Sequence, residues 1–423
     1  MNYDFPIIRN ISDVLPAIHG RDEFVVAEKE GYTVINYNVM MADTFPDVYR
    51  EEIFHSEPRL IGSRYIEDRV AAIRRECRGI IFDSKTGDII RRPFHKFFNV
   101  NEREETQDHV VDLSRPHAIL EKLDGSMIAP FIVTTDNYIT KMGGGYYERK
   151  MIWGTKMGAT DVAKPVEDFV ARNYNYVEFA EEAIHHGLTP IFEWCSRKQR
   201  IVLDYKEDQL ILTAMRNMKD GSYASYDELV GFGNLYDIPV VRAFEPQTDM
   251  KAFLEYVRDL EDLEGFVVRF DDGHMLKLKC HWYIQIHKAK EAILQDRNIV
   301  ELILEEHLDD VKAHLPAEDR DRLTKFESDI NKAINISVSD IRIELDSLLR
   351  MGIDRKTFAI HRAQEIDGYI RPIIFRLFGR EDVSKEEIRE LVCNTLRNNL
   401  GRTAKYEAIR DAWFPGVKYN ETY

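Results

Sequence analysis

Cysteine is scarce and scattered. Cys77, Cys195, Cys280 and Cys393 stand far apart in 423 residues, with no CxxC pair and no histidine at zinc-finger spacing. That excludes a disulfide-held scaffold, argues against a structural zinc and suits a reducing cytoplasm. No apolar run approaches the roughly 18 residues that a membrane helix needs. The opening MNYDFPIIRN lacks the basic stretch followed by an apolar stretch of a secretory signal. Positive charge is also in deficit, with 58 Lys+Arg against 74 Asp+Glu and a net charge of −16. A generic nucleic-acid coat is excluded, although a local basic site can sit on an acidic body. Glycine is absent from His274 to Met351, where Pro316 is the only proline, which suits helices rather than a meander of turns.

What is present is the balance of a globular chain, 44% hydrophobic and 31% charged, long enough for two domains. Short runs rich in β-branched and aromatic residues recur up to residue 279: TVINYNV (33–39), GIIFDSKTGDIIRRPF (79–94), MIAPFIV (127–133), PIFEWC (190–195), DQLILTAM (208–215), GFVVRF (265–270) and HMLKLK (274–279). They predict strands, with hairpins at TGDII and DDGHM. Helices are expected at 161–172 and at 249–260, the second capped by Asp249. Beyond Lys279, Val300, Ile303, Leu304, Leu308 and Val311 form one apolar stripe. Ile388, Leu391, Val392 and Leu396 form another, opened by a capping box of Ser384 and Glu387. The boundary falls near residue 285. Residues 1–285 carry a net charge of −13 and 286–423 only −3, with nine Lys+Arg against six acids in 371–410. The segment 42–75 reads as an insertion.

Chemistry concentrates in Glu121-Lys122-Leu123-Asp124-Gly125-Ser126. Alone, a KxDG string is equally a lysine on a strand followed by an Asp-Gly turn. Its weight comes from what flanks it in order. Glu76-Cys77-Arg78-Gly79 and Lys96-Phe97-Phe98-Asn99 precede it; Phe192-Glu193-Trp194, Glu264-Gly265-Phe266-Val267-Val268 and Lys277-Leu278-Lys279 follow. In the last, alternation puts both amines on one face of a strand. The ordered set resembles the covalent nucleotidyltransferases: ATP-dependent DNA and RNA ligases and capping enzymes. ECRGIIF, RPFHKFFNVNE, EKLDGS, the RIVL of Arg200–Leu203 and KLKCHWY ending at Tyr283 are most similar to the RNA ligase 1 family of tailed phages. The likeness covers roughly residues 25–290.

The resemblance implies an α+β fold: a nucleotidyltransferase domain over 1–285, with antiparallel sheets forming an ATP cleft, and an all-α domain over 286–423. It implies an ATP-dependent RNA ligase in which Lys122 takes AMP from ATP, with AMP then passing to an RNA 5′-phosphate that an RNA 3′-OH attacks. A lysine with an ordinary pKa of about 10.4 must be activated, and Arg78, Lys277, Lys279 and a bound metal disfavour a further positive charge. Lys277 and Lys279 are expected at the α-phosphate, Glu264 at a metal hydrate, and Glu193 at the ribose or a metal-bound water. Glu121 is expected to help recognise adenine, with Phe98 packed on it or in the core. Arg78 and Lys96 are expected on phosphates or ribose, Lys141 of TKMGGGYY on the β- and γ-phosphates, and Arg200 on phosphate or orienting Glu193. Asp124 is read as an ATP-site residue or as the residue that orients the turn. The implied metal is Mg²⁺, or Mn²⁺. His185, His186, His281 and His287 have no coherent ligand spacing. The implied partner is RNA with 5′-phosphate and 3′-OH ends, above all nicked tRNA, in the cytoplasm of a host if the chain is phage-encoded. A kinase-phosphatase that heals ends is a possible companion. A DNA ligase or capping enzyme would append a barrel where 286–350 reads helical. A silent RNA-binding relative would lack Lys122 or a flanking cation, and none is missing.

Overall fold

The computed structural model describes residues 5–41, 43–46, 68–141, 144–198 and 201–419. It divides into two compact units, Met1–Ile284 and Gln285–Tyr423. Within the first, β1 (Phe24–Lys29), β2 (Tyr32–Tyr37), β3 (Ile80–Asp83) and β4 (Ile89–Arg91) form an antiparallel sheet in chain order. The segment read as a hairpin at TGDII is the β3–β4 turn. Asp83 accepts from the backbone N–H groups of Lys85 and Thr86 there. Of the supposed insertion at 42–75, residue 42 and residues 47–67 lie outside the described residues, and 68–76 is helical.

Nine more strands make two sheets: β5 (Phe98–Asn99), β6 (His117–Glu121), β7 (Ser126–Lys141), β8 (Gly144–Gly154), β9 (Leu188–Cys195), β10 (Gln209–Asn217), β11 (Ala243–Phe244), β12 (Gly265–Phe270) and β13 (Met275–Lys279). One sheet has the order β10-β9-β7-β8 and the other β11-β6-β12-β13-β5. All neighbours are antiparallel except β13 and β5. Alternation decides what each face carries. On β13, Leu276 and Leu278 are buried at 0% and 2% exposure, which turns Lys277 and Lys279 to the opposite face. The helix expected from 249 spans Met250–Arg258, with Asp249 accepting from Lys251 and Ala252.

A buried polar network ties the 68–76 helix and the segment just after β4 to β10. Glu76, at the end of the 68–76 helix, meets both guanidinium nitrogens of Arg216 on β10, at 2.7 and 2.8 Å, and Arg92 Nε at 3.1 Å. All three side chains are fully buried. Burial alone would raise the Glu76 pKa, but Arg216 and Arg92 outweigh it and hold the carboxyl below its usual range. The spare donors of both arginines go to the carbonyls of Pro93, Gly221, Lys219 and Pro6.

The second unit is helical. Its longest element, Ala317–Met351, runs 35 residues and buries Leu323, Phe326, Ile330, Ile334, Ile341, Leu345 and Leu348 at helical spacing. Helix Lys385–Asn399 packs on it through Ile388, Val392 and Leu396. Ser384 caps that helix by accepting from Glu387 N–H at 3.0 Å, but the expected box closes only halfway. The Glu387 carboxylate is bound instead by Arg380, at 2.6 Å. Among the described residues no helix is long and apolar enough to cross a membrane.

Removing the charge at the centre of the network leaves two buried guanidinium groups without a counterion. Glu76→Gln should therefore cost roughly 3–5 kcal/mol, read as a lower urea midpoint at unchanged slope. An unchanged midpoint would contradict the role assigned to this carboxylate.

Candidate active site

Register brings the charged residues together. β12 lies between β6 and β13, with Gly265 opposite Lys279, Val267 opposite both Lys277 and Leu120, and Arg269 opposite both Met275 and Ala118. Lys122, just past β6, donates its N–H to the Gly265 carbonyl at 2.9 Å. Lys122 Nζ then lies 2.7 Å from Glu264 Oε1, and Lys279 Nζ lies 3.0 Å from the same oxygen. Glu264 is almost wholly buried, at 4% side-chain exposure. One carboxylate oxygen thus holds two ammonium groups that line a cleft of about 690 Å³.

The opposite wall comes from β7 and β9. Phe192 and Trp194 point into the core, so Glu193 between them faces the cleft. Burial pushes its carboxyl up to about 7, with Glu264 adding repulsion and Lys122 and Arg78 pulling it back. Lys277 sits 4.5 Å from the Phe97 ring centre. Burial, then Arg78, Lys96 and Lys122, hold its pKa well below the usual lysine range. Arg78 lines the same cleft, with Nη1 3.7 Å from the Met127 sulfur.

Asp124 does not line this cleft. Its Oδ2 accepts from the N–H groups of Val202 and Leu203, both at 2.7 Å, and Oδ1 accepts from the Tyr283 hydroxyl at 2.7 Å. Its own N–H donates to the Tyr205 hydroxyl. The carboxylate is committed to clamping the turn after Lys122 onto the 201–205 segment, which corrects its expected place among ATP-binding residues. Gly125 completes that turn because a Cβ there would lie 2.4 Å from the Trp194 carbonyl.

Other expectations need correction. Phe98 is 1% exposed and packs in the core with Phe45. It pairs with Leu276 on β13, so alternation gives the cleft to Phe97 and Asn99. Lys96 is not among the cleft-lining residues. Its ammonium lies over Phe98 and Tyr37, at 5.0 and 5.5 Å. Glu121 lines the cleft, and its N–H is given to the Arg242 carbonyl. Lys141 ends β7, paired with Gly144, and only its backbone is described. It stands fifteen positions beyond Ser126 along β7, on the order of 50 Å of strand, which places its backbone away from the cleft-lining start of that strand. The string Thr-Lys-Met-Gly occurs twice, however, and its second copy begins at Thr155. Lys156, just past the return strand β8, lines the cleft. Its backbone packs so closely on the 76–79 loop that a Cβ at Gly79, which has φ +86°, would lie 2.5 Å from the Lys156 carbonyl. Sequence reading took the first copy, and the repeat was the signal for the second. Arg200 lies outside the described residues.

The raised Glu193 pKa has a testable sign. In the unfolded chain this carboxyl ionises near its ordinary value of 4.5 and in the fold near 7. The stability it contributes is full below the unfolded value and is lost as pH rises through the folded one. Glu193→Gln should melt higher than the parent at pH 8 and level with it near pH 4. An equal difference at both pH values would contradict the burial argument.

The family model described as RNA ligase matches residues 76–283. A protein of Thermovibrio ammonificans that carries the provisional name RNA ligase is 30% identical over 272 residues, 61% of this chain and 66% of that protein. RNA ligase 1 of bacteriophage TS2126 is 27% identical over 303 residues, 70% of this chain and 71% of the phage protein. Among solved structures, an archaeal ATP-dependent RNA ligase aligns over 94% of this chain and 78% of its own, at 13% identity and a TM-score of 0.41. The matched segment runs from the helix end that carries Glu76 to the tyrosine that binds Asp124, so it contains Lys122, Glu193, Glu264, Lys277 and Lys279. The chain belongs to the RNA ligase 1 family.

Proposed function

We propose that the chain is an ATP-dependent RNA ligase working through a lysyl-AMP intermediate on Lys122. The observation that carries this is the shared contact of Lys122 and Lys279 with Glu264, beside Arg78, Lys156 and Lys277 in one cleft. Lys122 Nζ attacks the α-phosphorus of ATP. A nitrogen–phosphorus bond forms, and the bond to the bridging oxygen breaks to release pyrophosphate. Glu264, 2.7 Å away, is in reach of the proton that Lys122 loses. An RNA 5′-phosphate oxygen then attacks the AMP phosphorus and expels the lysine. An RNA 3′-OH finally attacks the 5′-phosphorus and expels AMP. The cations stabilise phosphate charge as it shifts in each transfer.

Among the described residues no group of three or more His, Cys, Asp or Glu could hold a metal. Glu193 and Glu264 supply two acidic donors, which fits a hydrated Mg²⁺ shared with phosphate oxygens rather than an all-protein cage. When bound, that ion neutralises charge on the phosphates. We assign Lys156, not Lys141, to the outer phosphates. The helical unit is the candidate for recognising nicked tRNA. There Arg380, Arg397 and Arg410 are committed to Glu387, the Leu304 carbonyl and Asp411, and exposed Arg376, Lys385, Arg402 and Lys405 are the candidates for RNA phosphates.

Lys122→Ala should form no covalent adenylate with labelled ATP, yet should still join RNA whose 5′ end is already adenylated. Normal labelling of this variant would overturn the assignment. In the same assay Lys156→Ala should lose roughly ten- to a hundredfold in labelling rate, as for loss of a charged hydrogen bond, while Lys141→Ala stays near the parent. The reverse order would restore Lys141 to the site.

A further inference from the structure

The cleft floor continues past the lysines. Two residues beyond Val267 on β12, about 7 Å farther along the strand, stands Arg269. It shares the face of Gly265 and Val267 and lines the cleft. The side chain is 5% exposed, and among the described residues its Nη1 has no hydrogen-bond partner. Burial lowers its pKa, with Tyr223, Asp271 and Tyr226 opposing. A guanidinium stays charged in a protein, so this is a buried cation facing a cavity without a carboxylate bound to it. Nothing in the transfer chemistry at Lys122 uses it.

Around Arg269 the cleft is lined by Leu120, Val267, Met275 and Phe97, with Lys277 opposite Val267 and its ammonium over the Phe97 ring. A flat base fits against this largely apolar surface. We propose that Arg269 closes the base end of the nucleotide cleft and donates a hydrogen bond to a ring nitrogen of the purine, making it a base-reading residue. The proposal rests on the nucleotide reading given above. Adenine offers acceptor nitrogens on both groove edges, and an arginine fork is suited to meet one of them.

The test measures covalent adenylylation of the full chain with ATP and with 1-deaza-, 3-deaza- and 7-deaza-ATP, in the parent and in Arg269→Met. The variant should raise KM for ATP by roughly ten- to a hundredfold, the effect of losing a charged hydrogen bond, with kcat close to the parent's. The parent should disfavour one deaza analogue by a similar factor, and the variant should not. Without ligand, Arg269→Met should melt at or above the parent, because an unpaired buried charge is removed. An unchanged KM overturns the proposal, as does an analogue preference that persists in the variant. A lower melting temperature with unchanged KM overturns it too, by making the residue structural. A parent that forms no adenylate sinks the ligase reading itself, whereas a parent that labels normally beside an indifferent variant sinks only the base-reading role.

Discussion

The site is organised by one carboxylate with two ammonium partners. Glu264 enters from the start of β12, Lys122 from the end of β6 and Lys279 from the end of β13, so their contact fastens three strand ends at one point. Around that point positive charge is in excess. Arg78, Lys156 and Lys277 share the cleft, and burial, then the neighbouring cations, hold Lys277 well below the usual lysine range. The carboxylates of Glu193 and Glu264 offset only part of that charge, and phosphate oxygens supply further negative charge as a nucleotide binds.

Two buried polar clamps keep this crowd in place. The network of Glu76, Arg92 and Arg216 fixes the 76–79 loop, and with it Arg78, against β10. Asp124 fixes the turn after Lys122 through two backbone N–H groups and the Tyr283 hydroxyl. An apolar core would stabilise the domain comparably. Directional partners instead set where Arg78 and Lys122 stand, and a reaction that needs in-line attack depends on that position.

Much of this was legible in the sequence. Alternation in Lys277-Leu278-Lys279 predicted a shared face, and the glycine-free stretch after His274 predicted helices. Where reading failed, the missing information was long-range. Phe97 and Phe98 are equivalent as letters, and only the parallel register of β5 on β13 decides which one meets the cleft. Lys141 and Lys156 sit in identical tetrapeptides, and the length of the β7–β8 hairpin carries the first away. Asp124 was readable both as an ATP-site residue and as the residue that orients the turn, and the choice between them rested on partners 78 to 159 residues downstream that leave no local signature. Arg216 falls one residue past the run read as a strand at 208–215 and Arg269 lies within the run at 265–270, and neither position gives a sign of what the arginine faces.

The central claim is that one particular amine among the clustered lysines carries the nucleotide. Peptide mapping by mass spectrometry, after incubation with ATP and a divalent cation at neutral pH, locates the modified side chain directly. The account predicts a single AMP on the peptide containing Lys122, lost on addition of pyrophosphate. AMP on Lys156, Lys277 or Lys279, or no modified peptide from a folded and metal-supplied protein, would contradict it.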